Sequence, residues 1–245
     1  MPPTTAPLET WLAEASVAHG VVALRPDYRA LLVAVDGLRP GPSDEVSDRL
    51  LAGAERIARE RAAGRPLAEE PRIVAWHEAF RAAGMKPKRT RPSVEALLRR
   101  IDAGLPRIDR ITDVYNAVSV AHVLPLGGED IDCYSGAPRL LRATGEERFE
   151  TTASGEPVVE SPEPGEVVWA DDLGVTCRRW NWRQCTRTRI TGETTRALFI
   201  LDALEPVDAA ELALAGEELV SGLLELAPGA RAVTRLVTGE PAGSA

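Results

Sequence analysis

Cys177-Arg178-Arg179-Trp180-Asn181-Trp182-Arg183-Gln184 packs three arginines, two of the chain's five tryptophans and two side-chain amides into eight consecutive residues. Alternation along a strand places Arg178, Trp180, Trp182 and Gln184 on one face and Arg179, Asn181 and Arg183 on the other. Guanidinium forks beside aromatic planes suit phosphates, carboxylates and stacked bases, the surfaces of nucleic acid or a nucleotide-linked ligand. The same residues equally suit a core strand whose tryptophans point inward while the arginines cover them as cation–π lids. Either way the run is a strand, and that sets the character of the second half of the chain.

Around it, short strands are predicted near Leu140, Phe149, Val167, Val175, Arg189 and Leu198, separated by Gly, Pro and Thr. Residues 155–165 read as a hairpin-like excursion and residues 124–128 as a turn. A closing helix spans 207–226, and a disordered tail follows from Thr238. The first half is helical. A short amphipathic helix is expected over 8–18, and a buried strand over 30–35 stops at Asp36-Gly37. Ser43 is the expected N-cap of a helix to about Ala63, with Val46, Leu50, Ala54 and Ile57 on its apolar stripe. Pro71 opens a helix ended by Gly84, Pro92-Ser93 starts another, and a fifth runs over 112–121. Helices early and strands late predict an α+β fold, a single domain over 8–237 with helices packed on a mixed, mainly antiparallel sheet.

The chain has 245 residues, 44% hydrophobic and 27% charged, the profile of a soluble globular protein. No apolar run is long enough for a bilayer, and the N-terminus lacks the pattern of a signal peptide. Cys133, Cys177 and Cys185 suggest no disulfide framework, and His19, His77 and His122 have no metal-ligand spacing. A cytoplasmic protein without metal or cofactor is expected, with no membrane or DNA partner. Net charge is −8, which argues against a general nucleic-acid binder. Its distribution is uneven. Residues 81–111 hold nine basic residues against three acidic ones, and residues 177–196 hold six arginines against Glu193. Were these segments neighbours, they would form a basic zone on an acidic body; apart, they are two solvated faces.

Several motifs arrive in a familiar order: residues 76–84 around Trp76-His77, 91–100 around Pro92-Ser93, Leu105-Pro106-Arg107-Ile108, and Asp113-Val114-Tyr115-Asn116. Leu124-Pro125-Leu126-Gly127-Gly128, Asp130, Trp169-Ala170-Asp171-Asp172, the arginine–tryptophan run and Thr194-Thr195 follow. Together, over roughly residues 8–226, the chain resembles a free-standing B3/B4 domain protein, similar to the tRNA-editing module of the phenylalanyl-tRNA synthetase β chain. The resemblance implies a deacylase that hydrolyses the ester of mischarged aminoacyl-tRNA in trans, with the aminoacylated tRNA end as partner. The alternative is a module that binds a tRNA end or an amino acid without turnover. Two positions depart from the family pattern: Gly127 stands where a histidine is expected, and Gln184, by register from Asp171-Asp172, where a glutamate is expected. An amide cannot act as a general base, so Gln184 is left to orient water or hold an amino group.

Expected site residues follow from this. Asn116 and Gln184 are the catalytic candidates. Gly127 and Gly128, through backbone N–H groups, with Arg179, Asn181, Thr194 and Thr195, are the substrate-binding candidates. Lys86, Lys88, Arg89 and Arg91, in a segment kept extended by Pro87 and Pro92, are the candidates for phosphate contacts. Each has a plainer reading: a helix amide, a tight turn, a strand-start turn, and a solvated connector.

Overall fold

The computed structural model describes residues 7–62, 66–87 and 90–239. The first half carries α1 (Leu8–Ala13), β1 (Ser16–Val17), α2 (His19–Val22), β2 (Arg29–Asp36), α3 (Glu45–Ala62), α4 (Pro71–Ala82), α5 (Ser93–Leu98) and α6 (Arg110–His122). Then come β3 (Leu126–Asp130), β4 (Arg139–Arg142), β5 (Phe149–Ala153), β6 (Glu156–Glu160) and β7 (Val167–Ala170). The chain closes with β8 (Val175–Arg178), β9 (Arg183–Gln184), β10 (Arg196–Ala203), α7 (Ala209–Leu226) and β11 (Arg231–Thr238). This is the α+β architecture the sequence predicts.

A four-stranded antiparallel sheet in the order β11-β2-β10-β3 sits at the centre. Both faces of β2 and β10 are buried, so their sequences are apolar throughout rather than alternating. Leu31, Val33 and Val35, with Phe199 and Leu201, pack on α6 and α7. On the opposite face Ala30, Leu32, Ala34, Leu198 and Ile200 meet Trp11, Trp76, Phe80, Trp169 and Trp180. These last residues come from α1, α4 and a second sheet, ordered β1-β4-β7-β8-β9 and antiparallel except for β1 beside β4. The layers are therefore helices, sheet, and second sheet flanked by short helices. β5 and β6 pair as a separate hairpin within the excursion the sequence marks.

Local signals explain most boundaries and correct others. The α3 cap is Asp44, whose Oδ1 accepts from the N–H groups of Val46 and Ser47. Ser43 instead donates to Asp113 Oδ2 at 2.5 Å. The buried stripe of α3 is Leu51, Ala54 and Ala58, and Ile57 is exposed. The predicted helix over 8–18 is shorter and gives way to β1. Residues 126–130 form a strand, not a turn: Gly127 pairs with Ile200 and Gly128 with Phe199. Arg189 makes only an isolated bridge to Glu129. Thr238 ends a strand rather than opening the tail, and residues 240–245 of that expected tail lie outside the described residues.

The arginine–tryptophan run is not one strand. β8 ends at Arg178, the chain reverses, and β9 returns with Arg178 opposite Arg183 and Cys177 opposite Gln184. The reversal rests on two consecutive left-handed residues, Arg179 (φ 52°) and Trp180 (φ 59°). For side chains of this size that conformation costs about 1–3 kcal/mol each. Packing holds it in place. The Trp180 ring stacks on Phe80 at 6.2 Å and meets Trp76 edge-on at 5.9 Å. Arg179 donates to Thr90 Oγ1 at 2.6 Å and lies 4.5 Å over the Trp182 ring.

Candidate functional site

Where α5 and α6 cover the seam between the two sheets, a cavity of about 360 Å³ opens. α6 turns Thr112, Tyr115 and Asn116 towards it, and α5 with its C-terminal flank contributes Ser93, Leu97 and Arg100. Asp109 caps α6 by accepting from Ile111 and Thr112 N–H groups, which fixes the helix that presents Asn116. The floor is built from Gly127 and Glu129 on β3, Ile200 and Asp202 on β10, and Trp169 and Cys177 of the second sheet. Asn181, Trp182, Arg183 and Gln184 close the side.

Two carboxylates lie in this floor, and the sequence reading names neither. Asp202 is buried; its Oδ1 accepts from Tyr28 Oη at 2.5 Å and Trp169 Nε1 at 3.4 Å, and its Oδ2 from Asn181 Nδ2 at 3.4 Å. Burial raises its pKa to about 7, despite those three donors and with Glu129 adding repulsion. Glu129 is also raised by burial, offset by donors on Tyr134, Thr176, Thr188 and Gln184. The sequence reading puts two amides, Asn116 and Gln184, at the site; the structure adds these two carboxylates to the same cavity lining. A lone Asp in the run Ala197-Leu198-Phe199-Ile200-Leu201-Asp202-Ala203 was the available signal.

Of the catalytic candidates, Asn116 and Gln184 both line the cavity. The Asn116 side chain is buried, and no described residue gives it a hydrogen bond. Gln184 Nε2 donates to Gly128 O at 2.8 Å, which leaves its Oε1 as an acceptor. The glycines behave differently from expectation. Asp202 N–H donates to Pro125 O, so antiparallel alternation directs the Gly127 N–H into the β10 ladder and the Gly128 N–H to the outer edge. Two ligand-facing amides at a turn are therefore not formed. Neither glycine has positive φ; what both positions require is space. A Cβ at Gly128 would lie 2.6 Å from Ile190 Cδ1, and one at Gly127 3.2 Å from Gln184 Nε2.

Arg179 and Asn181 do not line a pocket together. Asn181 faces the cavity, whereas the left-handed turn sends Arg179 to an outer groove beside Lys86, Thr90 and Glu166. Thr194 is buried with its hydroxyl donated to Asp130 Oδ2 at 2.6 Å, and Thr195 is exposed; neither borders the cavity. Lys86 and Arg91 border another groove, on the far side of α5. Lys88 and Arg89 lie outside the described residues. The forks offered by the arginine–tryptophan run are already occupied. Arg178 donates to both Glu166 oxygens at 2.8 Å and to Glu160 at 2.9 Å, and Arg183 bonds Glu160 at 3.1 Å. Burial, the largest single influence, would raise the Glu166 carboxyl, but the hydrogen bonds and charge of Arg178 together with the charge of Arg179 hold the pKa below the ordinary value.

Three polar groups beside the cavity lack protein partners. Ser93 Oγ, Trp180 Nε1 and Asn181 Oδ1 are buried atoms of cavity-lining residues, and none has a protein hydrogen-bond partner. Native structures rarely leave such groups unsatisfied. Among the described residues no cluster of His, Cys, Asp and Glu is arranged to hold a metal ion, and no helix is long and apolar enough to cross a membrane.

A layered α+β fold whose helices roof a largely apolar cavity with carboxylates in its floor, between two sheets, is the class that these observations define. The B3/4 domain family model matches residues 75–227, more than half of the chain, and the chain belongs to that family. Among solved structures it is similar to an N-terminal fragment of the phenylalanyl-tRNA synthetase beta-subunit from Pyrococcus horikoshii, at 13% identity and a TM-score of 0.45. That similarity covers 91% of this chain and 50% of the other, so this chain spans about half the length of that fragment. No curated protein matches the sequence.

Proposed function

We propose that residues 8–237 act as one domain that hydrolyses, in trans, the ester of mischarged aminoacyl-tRNA. The observation that carries this reading is the cavity itself: orphaned buried polar atoms, two amides with free functionality and a carboxyl poised near neutrality, in a chain of the B3/4 family. Asn116, lacking a protein partner, donates from its amide to the ester carbonyl as negative charge develops there. Gln184 Oε1 accepts from the attacking water or from the substrate ammonium. Asp202, whose pKa of about 7 suits a general base at neutral pH, takes the water proton. The water oxygen bonds to the carbonyl carbon, the bond to the ribose oxygen breaks, and that oxygen leaves with a proton, giving a free amino acid and a ribose hydroxyl. With two carboxylates in the floor, an anionic amino-acid side chain is excluded.

The test is a panel of correctly and wrongly charged tRNAs, following loss of the ester. Release confined to certain mispairs is expected, with Asn116→Ala slowing it about 100-fold, as loss of an oxyanion donor does. Tight binding without release would instead make this a recognition module, and absence of both would end the tRNA reading.

A further inference from the structure

Helix α5 separates two concavities. Ser93, Ala96, Leu97 and Arg100, spaced three, four and seven residues along, face the cavity. Arg91, Glu95 and Arg99, spaced four apart, face a second groove of about 640 Å³ that also has His77, Arg81 and Lys86 in its wall. We infer that this outer groove binds phosphodiesters of the single-stranded RNA that leads its terminal nucleotide into the cavity, a role that rests on the function proposed above.

The charge arrangement carries the inference. Among the described residues four cations line the groove, and Glu95 is the one acid. Glu95 offsets one of those positive charges and leaves the groove net positive; buried, it works as an anchor. Arg99 donates to Glu95 Oε1 from Nε at 2.9 Å and from Nη2 at 2.7 Å, His77 Nε2 bonds Oε2 at 2.7 Å, and Arg91 lies 3.6 Å away. The side chains of Arg91 and Arg99 stay 43% and 50% exposed, so they are held by one edge and offer the other to an acceptor. Arg81 and Lys86 are exposed and have no acidic partner among the described residues. Arg100, likewise exposed and unpaired, stands on the cavity side of the same helix and continues the positive track over its end. Spaced cations leading to a cavity mouth fit a chain of phosphates that ends in an inserted residue.

The experiment pairs two ligands on the full-length protein. A short single-stranded RNA with an unpaired 3′ adenosine and an aminoacyl-adenosine mimic without phosphodiesters are titrated against wild type and an Arg81→Gln, Lys86→Gln double variant. For the RNA, roughly a tenfold loss of affinity is expected, with a salt slope shallower by about 1.4, near 0.7 for each contact removed. Binding of the mimic is expected to stay unchanged. An unaltered RNA slope with normal mimic binding overturns the groove assignment and leaves the cavity reading intact. If wild type ignores the mimic while the RNA slope still falls, the groove stands and the cavity reading is what fails. Slope loss with an acidic peptide and none with RNA overturns the inference in favour of a protein partner.

Discussion

Residues 177–196 and 81–111 carry similar surpluses of positive charge, and the fold puts them to opposite uses. In the first, Arg178, Arg179 and Arg183 are bound to Glu160 and Glu166, Arg187 to Asp171, and Arg196 to Asp132. In the second, Arg107 and Arg110 are paired, but Arg81, Lys86 and Arg100 have no acidic partner among the described residues, and Arg91 and Arg99 share one buried acid. A count of charge along the chain cannot separate these cases. What separates them is whether the acids that answer the arginines arrive from elsewhere in the chain, as Glu160 and Glu166 do.

The largest expected effect breaks the comparison at its buried end. Glu166→Gln leaves Arg178, almost wholly buried, without its bidentate partner and loosens the left-handed turn at Arg179 and Trp180. A loss of roughly 3–5 kcal/mol of stability is expected in urea unfolding, as when one member of a buried pair is removed. The RNA salt slope should not move. If instead the slope falls and stability holds, these arginines contact ligand and the contrast is wrong.

The second prediction asks whether that arginine cluster reaches the cavity floor. If it did, Asp202 would be held low; instead burial holds it near 7. Between the ordinary value of 3.8 and that raised value the folded state binds more protons than the unfolded one, so this group lowers stability as pH rises through that window. Asp202→Asn removes the effect. Unfolding measured from acid to slightly alkaline pH should show the variant gaining on wild type by about 1.4 kcal/mol per pH unit across the window, then no further. A pH-independent difference would mean that Asp202 is ionised at its ordinary value, and the proposed base would be lost with it.

Why some of this was legible in the sequence and the rest was not is physical. The run 30–35 could only be a buried strand, and the glycines at 37 and 84 mark real boundaries. The arginine–tryptophan run misleads because alternation is indifferent to a reversal, and Arg179 and Trp180 carry none of the usual turn chemistry. Only the pocket formed by Trp76 and Phe80, distant in sequence, makes that turn affordable. Gly127-Gly128 looks like a turn because glycine usually is one, yet here its small size makes room for Gln184, Ile190 and Phe199. Asn116, Asn181 and Gln184 were legible as polar residues in motif positions. Asp202 stood out in the sequence only as a lone acid in an apolar run; its place in the cavity floor needed β10, which puts it on the face of Leu198 and Ile200.

The smallest expected effect gives the sharpest form of the contrast. Arg100 and Arg189 are both exposed, and neither has an acidic partner among the described residues, so stability cannot tell them apart. Replacing either with Gln should change unfolding by less than about 0.5 kcal/mol. Their positions differ: Arg100 stands at the cavity mouth, while Arg189 follows the neutralised hairpin and is not part of that wall. Arg100→Gln should therefore flatten the RNA salt slope by about 0.7 and Arg189→Gln leave it unchanged. Equal slopes for the two variants would show that RNA responds to overall charge rather than to the track along α5, and the distinction between the two segments would lose its functional meaning.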